Sequence, residues 1–526
     1  MFDLILKNGV IVDGTGNPWY RGDVAVRDRK IAAVGRLAAK AARIIDVDGR
    51  VVAPGFIDIH THSDLPVLAN PRAESKIRQG VTTEVVGNCG NSAAPLAGDA
   101  VAEFAERADA LGFKLTWRTV GEYLDTVAAR GTAVNIAPLI GHSTVRKSVV
   151  GYGDRDATAR EIQAMREMVA AAMADGAFGM SSGLIYPPGC FTKTAELIAL
   201  GETVRAGGGY YASHIRNEGA GVADAAREHI EIGERSGVAL EWSHIKAAGG
   251  VMRGKAAELL QLMDGARERG IDITADIYPY EATSTGLSMF LPKWAHAGGR
   301  AELVRRLRDP EISRRMYDEL TARARERGTW EKILISSVES NKNKDLAGMT
   351  VGQIADRQGK EPVAVIIDLL AEEEGSVQMV SFAMWEEDIQ CLLRHPAVMI
   401  GSDGATLAPY GILDNGKPHP RNYGTFPRVL RKYVREEKTL RLEDAVRKMT
   451  LLPARRLGIG DRGLLAPGMW ADITVFDPAT VYDVGTYIDP KRYPAGIDYV
   501  LVNGQVAVEQ GEHTGAMAGR ALRRPA

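Results

Sequence analysis

Residues 54–64, PGFIDIHTHSD, place a short apolar run directly in front of two histidines spaced two apart. Side chains in a strand alternate between faces, so His60 and His62 send both imidazoles the same way. At the end of a strand inside a barrel that direction is the interior of the mouth. H-x-H also arises by chance, and its place after an apolar run and ahead of Ser63 and Asp64 is what makes it a candidate metal site.

Seven more apolar runs follow at intervals: TTEVVGN, VNIAPLIGH, FGMSSGLIY, GYYASHI, ALEWSHI, DITADIYPY and VMIGSD. Helical patterns lie between them. In 159–175, Ile162, Met165, Val169 and Met173 recur at three and four before Gly176, and in 255–269, Leu259, Leu260, Met263 and Ala266 share a face ahead of Gly270. Alternating β and α elements predict a parallel sheet, and eight of them an α/β fold closed as a (β/α)8 TIM-like barrel over 54–457. An open doubly wound sheet is the competing arrangement.

Residues 1–53 read instead as short strands broken by Gly and Asp turns, and 458–526 repeat that texture in ADITVFDP and DYVLVNGQVAVEQG. Both termini are expected to build one small β-sandwich domain. The span between them exceeds the roughly 250 residues of a typical barrel. The excess falls between the seventh and eighth strands, where 285–396 carry the charged run RAELVRRLRDPEISRRMYDEL and the strand-like ILISSVES and VQMVSFAMW. This stretch is read as a lid or specificity insertion.

The 65 Lys plus Arg against 67 Asp plus Glu in 526 residues leave a net charge of −2, which offers no basic field for nucleic acid or an anionic membrane. A small-molecule substrate is the expected partner, and nothing in the sequence specifies an oligomeric state. Three widely spaced cysteines imply no disulfide framework and a reducing compartment. The amino terminus reads as a strand rather than a signal peptide, and no run of 18 apolar residues occurs, so a cytoplasmic location is expected.

Four further donors close predicted strands: Cys89 in GNCGN, His214 in ASHI, His244 in WSHI and Asp403 in GSDG. Each has a bland reading. A lone cysteine is usually a small buried hydrophobe, a lone histidine a satisfied core group, and an Asp after a strand a cap. Six candidate donors at strand ends outweigh those readings taken singly. Thiolate, imidazole and carboxylate are what a zinc-type ion selects, and an incomplete shell leaves room for a reactive water. Cys190, in a Pro-Gly loop, and Cys391, on an amphipathic helix, are read as structural.

This set resembles the amidohydrolase superfamily, and GNCG where a bridging lysine would stand, with SHIRNEG, SHIKAAG, DIYPYEATST, IGSDG and HPRNYGTFPRVL, resembles its N-acyl-D-amino-acid deacylase (D-aminoacylase) family. KNGVIVDGTG and GLLAPGMWADITVFDP extend the resemblance almost end to end. It implies that Cys89, His214 and His244 hold a tightly bound zinc. His60, His62 and Asp403 would line a second position, weakly occupied or empty, and Asp403 would be the proton shuttle. It also favours Lys246, Tyr186, Tyr278, Ser284 and Arg421 near the substrate, with Arg216 and His142 as weaker candidates. Lys246 shares the His244 face of the strand; a surface lysine is its bland reading. Met289, Phe290, Leu291 and Trp294 line either an apolar pocket or the core of the insert. The implied reaction is hydrolysis of N-acyl-D-amino acids. A cyclic amidase of the hydantoinase or dihydroorotase kind, and a metal-binding scaffold without turnover, are the alternatives.

Overall fold

The computed structural model describes residues 1–327 and 330–525 of the chain. Its centre is a series of eight parallel strands: β1 (Phe56–Asp58), β2 (Val81–Val86), β3 (Asn135–Pro138, continued by Ile140–Gly141), β4 (Gly179–Gly183), β5 (Tyr210–His214), β6 (Ala239–Trp242), β7 (Ile273–Ile277) and β8 (Val398–Ile400). They pair in chain order, β1–β2–β3 in one sheet and β3 through β8 in another. β1 and β8 meet just past their ends, where Thr61 bridges Gly404 in parallel and the Asp403 amide donates to the His60 carbonyl at 2.8 Å. All eight predicted runs are strands. β1 stops at Asp58, so His60 and His62 lie on the turn beyond it.

Helices cover the strands as the periodicity required. Ala159–Ala174 buries Met165, Val169 and Met173, and Thr158 and Glu161 close its first turn as a capping box. Ala256–Glu268 buries Leu259, Leu260, Met263 and Ala266. Among the described residues no helix is long and apolar enough to cross a membrane.

The two chain ends share one nine-stranded sheet. Val51–Pro54 pairs antiparallel with Ile473–Phe476, joining five amino-terminal strands to four carboxyl-terminal ones around a core that includes Leu6, Ile11, Val24, Ile473 and Leu501. Between β7 and β8 the chain forms a three-stranded antiparallel sheet, Thr283–Gly286, Gln378–Ser381 and Ile333–Ser337, with a hydrophobic cluster of its own. The charged run is two helices, Gly299–Arg308 and Pro310–Arg327, because proline takes the first position of the second. Leu291 lies in the insert's core, with Phe290 and Trp294 packed against it.

Gly179 shows how closely the strands approach. A Cβ there would sit 2.1 Å from the Tyr210 carbonyl oxygen of the neighbouring strand. Gly179→Ala is therefore expected to cost about 3 kcal/mol, measured as a lowered urea midpoint with an unchanged slope.

Candidate metal centre

The donors converge at the carboxyl ends of the strands, and Cys89 is their hub. Its Sγ lies 3.3 Å from His60 Nε2, 3.4 Å from His244 Nε2 and 3.8 Å from His214 Nδ1. Asp403 Oδ1 approaches His60 Nε2 at 3.5 Å and His62 Nε2 at 2.9 Å. His60, Cys89, His244 and Asp403 form one tight group, and His214, Glu218 and His244 a second that shares His244. His62, with 35% of its side chain exposed, joins through Asp403.

The backbone reaches this arrangement at a cost. Cys89, His244 and Asp403 adopt φ values of 50°, 36° and 49°, a left-handed conformation that non-glycine residues rarely occupy and that costs on the order of 1–3 kcal/mol each. Each sits where a strand must turn sharply to aim its side chain into the mouth. The glycines of GNCG make the Cys89 turn possible, since a Cβ on Gly87 would sit 2.2 Å from the Leu139 carbonyl oxygen and one on Gly90 would sit 2.7 Å from the Gly183 amide nitrogen.

Supporting groups fix the donors. Asp276 accepts from His60 Nδ1 at 3.1 Å through one oxygen and from the His244 amide at 3.0 Å through the other. Glu218 Oε1 lies 3.1 Å from His244 Nδ1 and 3.6 Å from His214 Nε2, and it accepts from Lys246 Nζ at 2.6 Å. Behind β1, fully buried Lys76 donates to Asp58 at 3.0 Å and to Ser402 at 2.6 Å, while Asp58 takes the Ser402 amide at 2.8 Å. That network ties the turn carrying His60 to the one carrying Asp403.

Electrostatics follows from packing anions among cations. Burial pushes the Cys89 thiol up, but the His60 and His244 imidazoles and hydrogen bonds to His214 and His244 bring it well below its ordinary value. Burial likewise raises the Asp403 carboxyl, and Arg421, His244, His62 and His60 more than reverse this. Both groups are therefore anions at neutral pH.

Lys246 is buried and reaches inward, 2.7 Å from His244 Nδ1. Tyr186 lies with its ring 5.0 Å from that of His214, and its hydroxyl accepts from Thr285 at 3.1 Å. Tyr278 lies beneath the Arg421 guanidinium at 4.8 Å and the Lys246 ammonium at 5.4 Å. Ser284 contributes its carbonyl, which accepts from Arg421 at 3.4 Å. Arg421 NH1 lies 2.8 Å from Asp403 Oδ2 without hydrogen-bond alignment, so its Nε and NH1 are buried and unpartnered. Arg216 is instead consumed by Glu228 and two backbone carbonyls, and His142 by Glu196.

Glu218 and Asp276 were not among the candidates read from the sequence. The signal for Glu218 is its place four residues after His214 in SHIRNEG, and for Asp276 a carboxylate in the middle of the DITADIYPY strand run.

The Amidohydrolase family model matches residues 43–508. The D-aminoacylase of Alcaligenes xylosoxydans xylosoxydans is 39% identical over 526 residues, covering 100% of this chain and 98% of that one, and the N-acyl-D-glutamate deacylase of the same organism is 38% identical over 527 residues, covering 100% and 97%. The chain belongs to the amidohydrolase family and, within it, to the N-acyl-D-amino-acid deacylases. Among solved structures, a D-aminoacylase with a binuclear metal centre superposes with a TM-score of 0.84 at 38% identity over all of both chains. The N-acyl-D-glutamate deacylase of Bordetella bronchiseptica, complexed with zinc and a phosphonate inhibitor, gives 0.84 at 36% over 99% of each. An L-hydantoinase of Arthrobacter aurescens shares the fold alone, at 0.58 and 17% identity over all of both chains.

Cys89→Ala removes the hub. The expected outcome is loss of most bound zinc from the purified protein, read by metal analysis, with full retention excluding Cys89 as a ligand.

Proposed function

We propose that this chain is a zinc-dependent deacylase that hydrolyses the amide bond of N-acyl-D-amino acids to a carboxylate and a free D-amino acid. The observation that carries it is the Cys89 sulfur at 3.3–3.8 Å from three imidazole nitrogens. Ligands at tetrahedral angles around zinc, with sulfur near 2.3 Å and nitrogen near 2.0–2.1 Å, stand about 3.6 Å apart, so the donor set fits the ion. His214 Nε2, the ring nitrogen turned away from Cys89, faces Glu218 Oε1 at 3.6 Å, and a carboxylate behind the other ring nitrogen is the usual support of a metal-bound imidazole. Cys89, His214 and His244 would hold the tightly bound ion, and His60, His62 and Asp403, with Cys89 adjacent, a second and weaker position.

Zinc at this place supplies Lewis acidity, polarising the acyl carbonyl and acidifying the attacking water toward a pKa near 7. The chain's own groups do the rest. Asp403, kept ionised beside Arg421 and the histidines, accepts the proton of that water on its carboxylate and passes it to the amide nitrogen, which must be protonated to leave. Arg421 offers Nε and NH1, both without hydrogen-bond partners, to the α-carboxylate of the substrate. Tyr186 and Tyr278, whose hydroxyls burial keeps protonated well above neutral pH, serve as donors, with Lys246 and Ser284 beside them. The D preference rests on the relatives.

The same reading takes 54–457 as a closed (β/α)8 barrel, 1–53 with 458–526 as a small β-sandwich domain, and 285–396 as a lid. The Thr61–Gly404 bridge between β1 and β8, the shared nine-stranded sheet and the insert's separate core support it. Three unpaired cysteines suit a reducing, cytoplasmic setting. Cyclic amides are the alternative substrate class.

A panel of N-acetyl-D- and N-acetyl-L-amino acids and a hydantoin, assayed with and without chelator, decides the activity. The expected result is chelator-sensitive turnover of D isomers only, restored by zinc; turnover of the hydantoin alone would overturn the reading. Asp403→Asn is expected to lower kcat by about 10³-fold with zinc content preserved. Near-normal turnover would remove Asp403 from the proton path.

A further inference from the structure

The strands also end at a second, opposite face, where their first residues surround a cavity of about 790 Å3. Phe178, Tyr210, Ala239 and Ala397 contribute from strand starts, and Leu452 and Leu457 from the helix Leu451–Leu457. Tyr210 opens the strand that His214 closes, so about 13 Å of β5 separates this cavity from the candidate metal centre.

Its rim is unusual for a chain whose net charge is −2. Five arginines line it; among the described residues the one lining carboxylate is Asp272, and Glu241 lies behind it, 3.6 Å from Arg456 Nε. Asp272 is already taken by Arg456 NH2 at 2.7 Å, and Arg456 Nε donates to Thr274 at 2.8 Å. Arg267 and Arg524 each spend one nitrogen on a backbone carbonyl, of Ile273 and Gly207, which fixes the guanidinium and leaves its other donors free. Among the described residues no hydrogen bond or ion pair engages the guanidinium of Arg447 or Arg455. Tyr210, 3% exposed, buries its hydroxyl with no hydrogen-bond partner.

Like charges gathered around a concavity repel one another, and an anion placed among them converts that repulsion into attraction. Guanidinium groups already held in place lose little entropy on binding, and their forked donors match phosphate oxygens. The volume lies within the range of small-molecule sites, and the apolar floor accepts an uncharged body behind the anionic group.

We propose that the cavity ringed by Arg267, Arg447, Arg455, Arg456 and Arg524 is a second ligand site, which binds a small molecule bearing a phosphate group. It is independent of the deacylase reading.

Calorimetric titration of the full-length, zinc-loaded protein with phenyl phosphate, and separately with inorganic phosphate, tests this. Saturable binding of phenyl phosphate is expected, weakened by added salt and by about tenfold or more in the double variant Arg447→Gln, Arg455→Gln. Both side chains are at least partly exposed, so the variant should fold, and its N-acetyl-D-amino acid turnover and circular dichroism report that directly. Arg421→Ala, which removes the guanidinium beside Asp403 at the metal centre, should leave binding unchanged. Absence of saturable binding, equal affinity in the double variant, or loss of binding in Arg421→Ala would each overturn the proposal.

Discussion

A buried sulfur among three imidazoles is the constraint around which the rest is arranged. Burial alone would keep the Cys89 thiol protonated; the His60 and His244 imidazoles and hydrogen bonds with His214 and His244 more than reverse this. The elements that bring them together are separate: the turns after β1, β2, β6 and β8 and the end of β5. Alignment at the mouth therefore depends on the register of nearly every strand pair, and the close approach at Gly179 is one place where that register is set.

The supporting carboxylates follow from the same constraint. Buried ion pairs seldom add net stability, because desolvation offsets the attraction. Asp276 and the Asp58–Lys76 pair are better understood as positioning devices: one joins His60 to the His244 backbone, the other the β1 turn to the Asp403 turn. Left-handed backbone at Cys89, His244 and Asp403 is tolerated for the same purpose. The fold spends stability at its mouth to obtain direction.

Much of this was legible in the residues. Every predicted strand run is a strand, because apolar runs bounded by glycine and separated by helical periodicity leave few alternatives. The six donors were visible because polar side chains at the ends of apolar runs are conspicuous. Glu218 and Asp276 were not, since a glutamate in a loop and a carboxylate within a strand are ambiguous until tertiary packing sets them against a histidine. His142 and Arg216, the weaker candidates, each sit near a strand end and are engaged there by Glu196 and Glu228, partners that the sequence alone does not reveal. The insert's aromatics were equally readable as pocket or core, and Leu291, Phe290 and Trp294 pack inward because their own small sheet needed a core.

The pairing of Val51–Pro54 with Ile473–Phe476 has a consequence for biosynthesis. Val51–Pro54 leaves the ribosome more than 400 residues before Ile473–Phe476, so its edge waits unpaired while the parallel strands and their helices are made. A nascent chain halted short of Ile473 would carry an open β-edge, a ready template for aggregation. The seam is thus closed late, when Ile473–Phe476 shelters a strand made long before it.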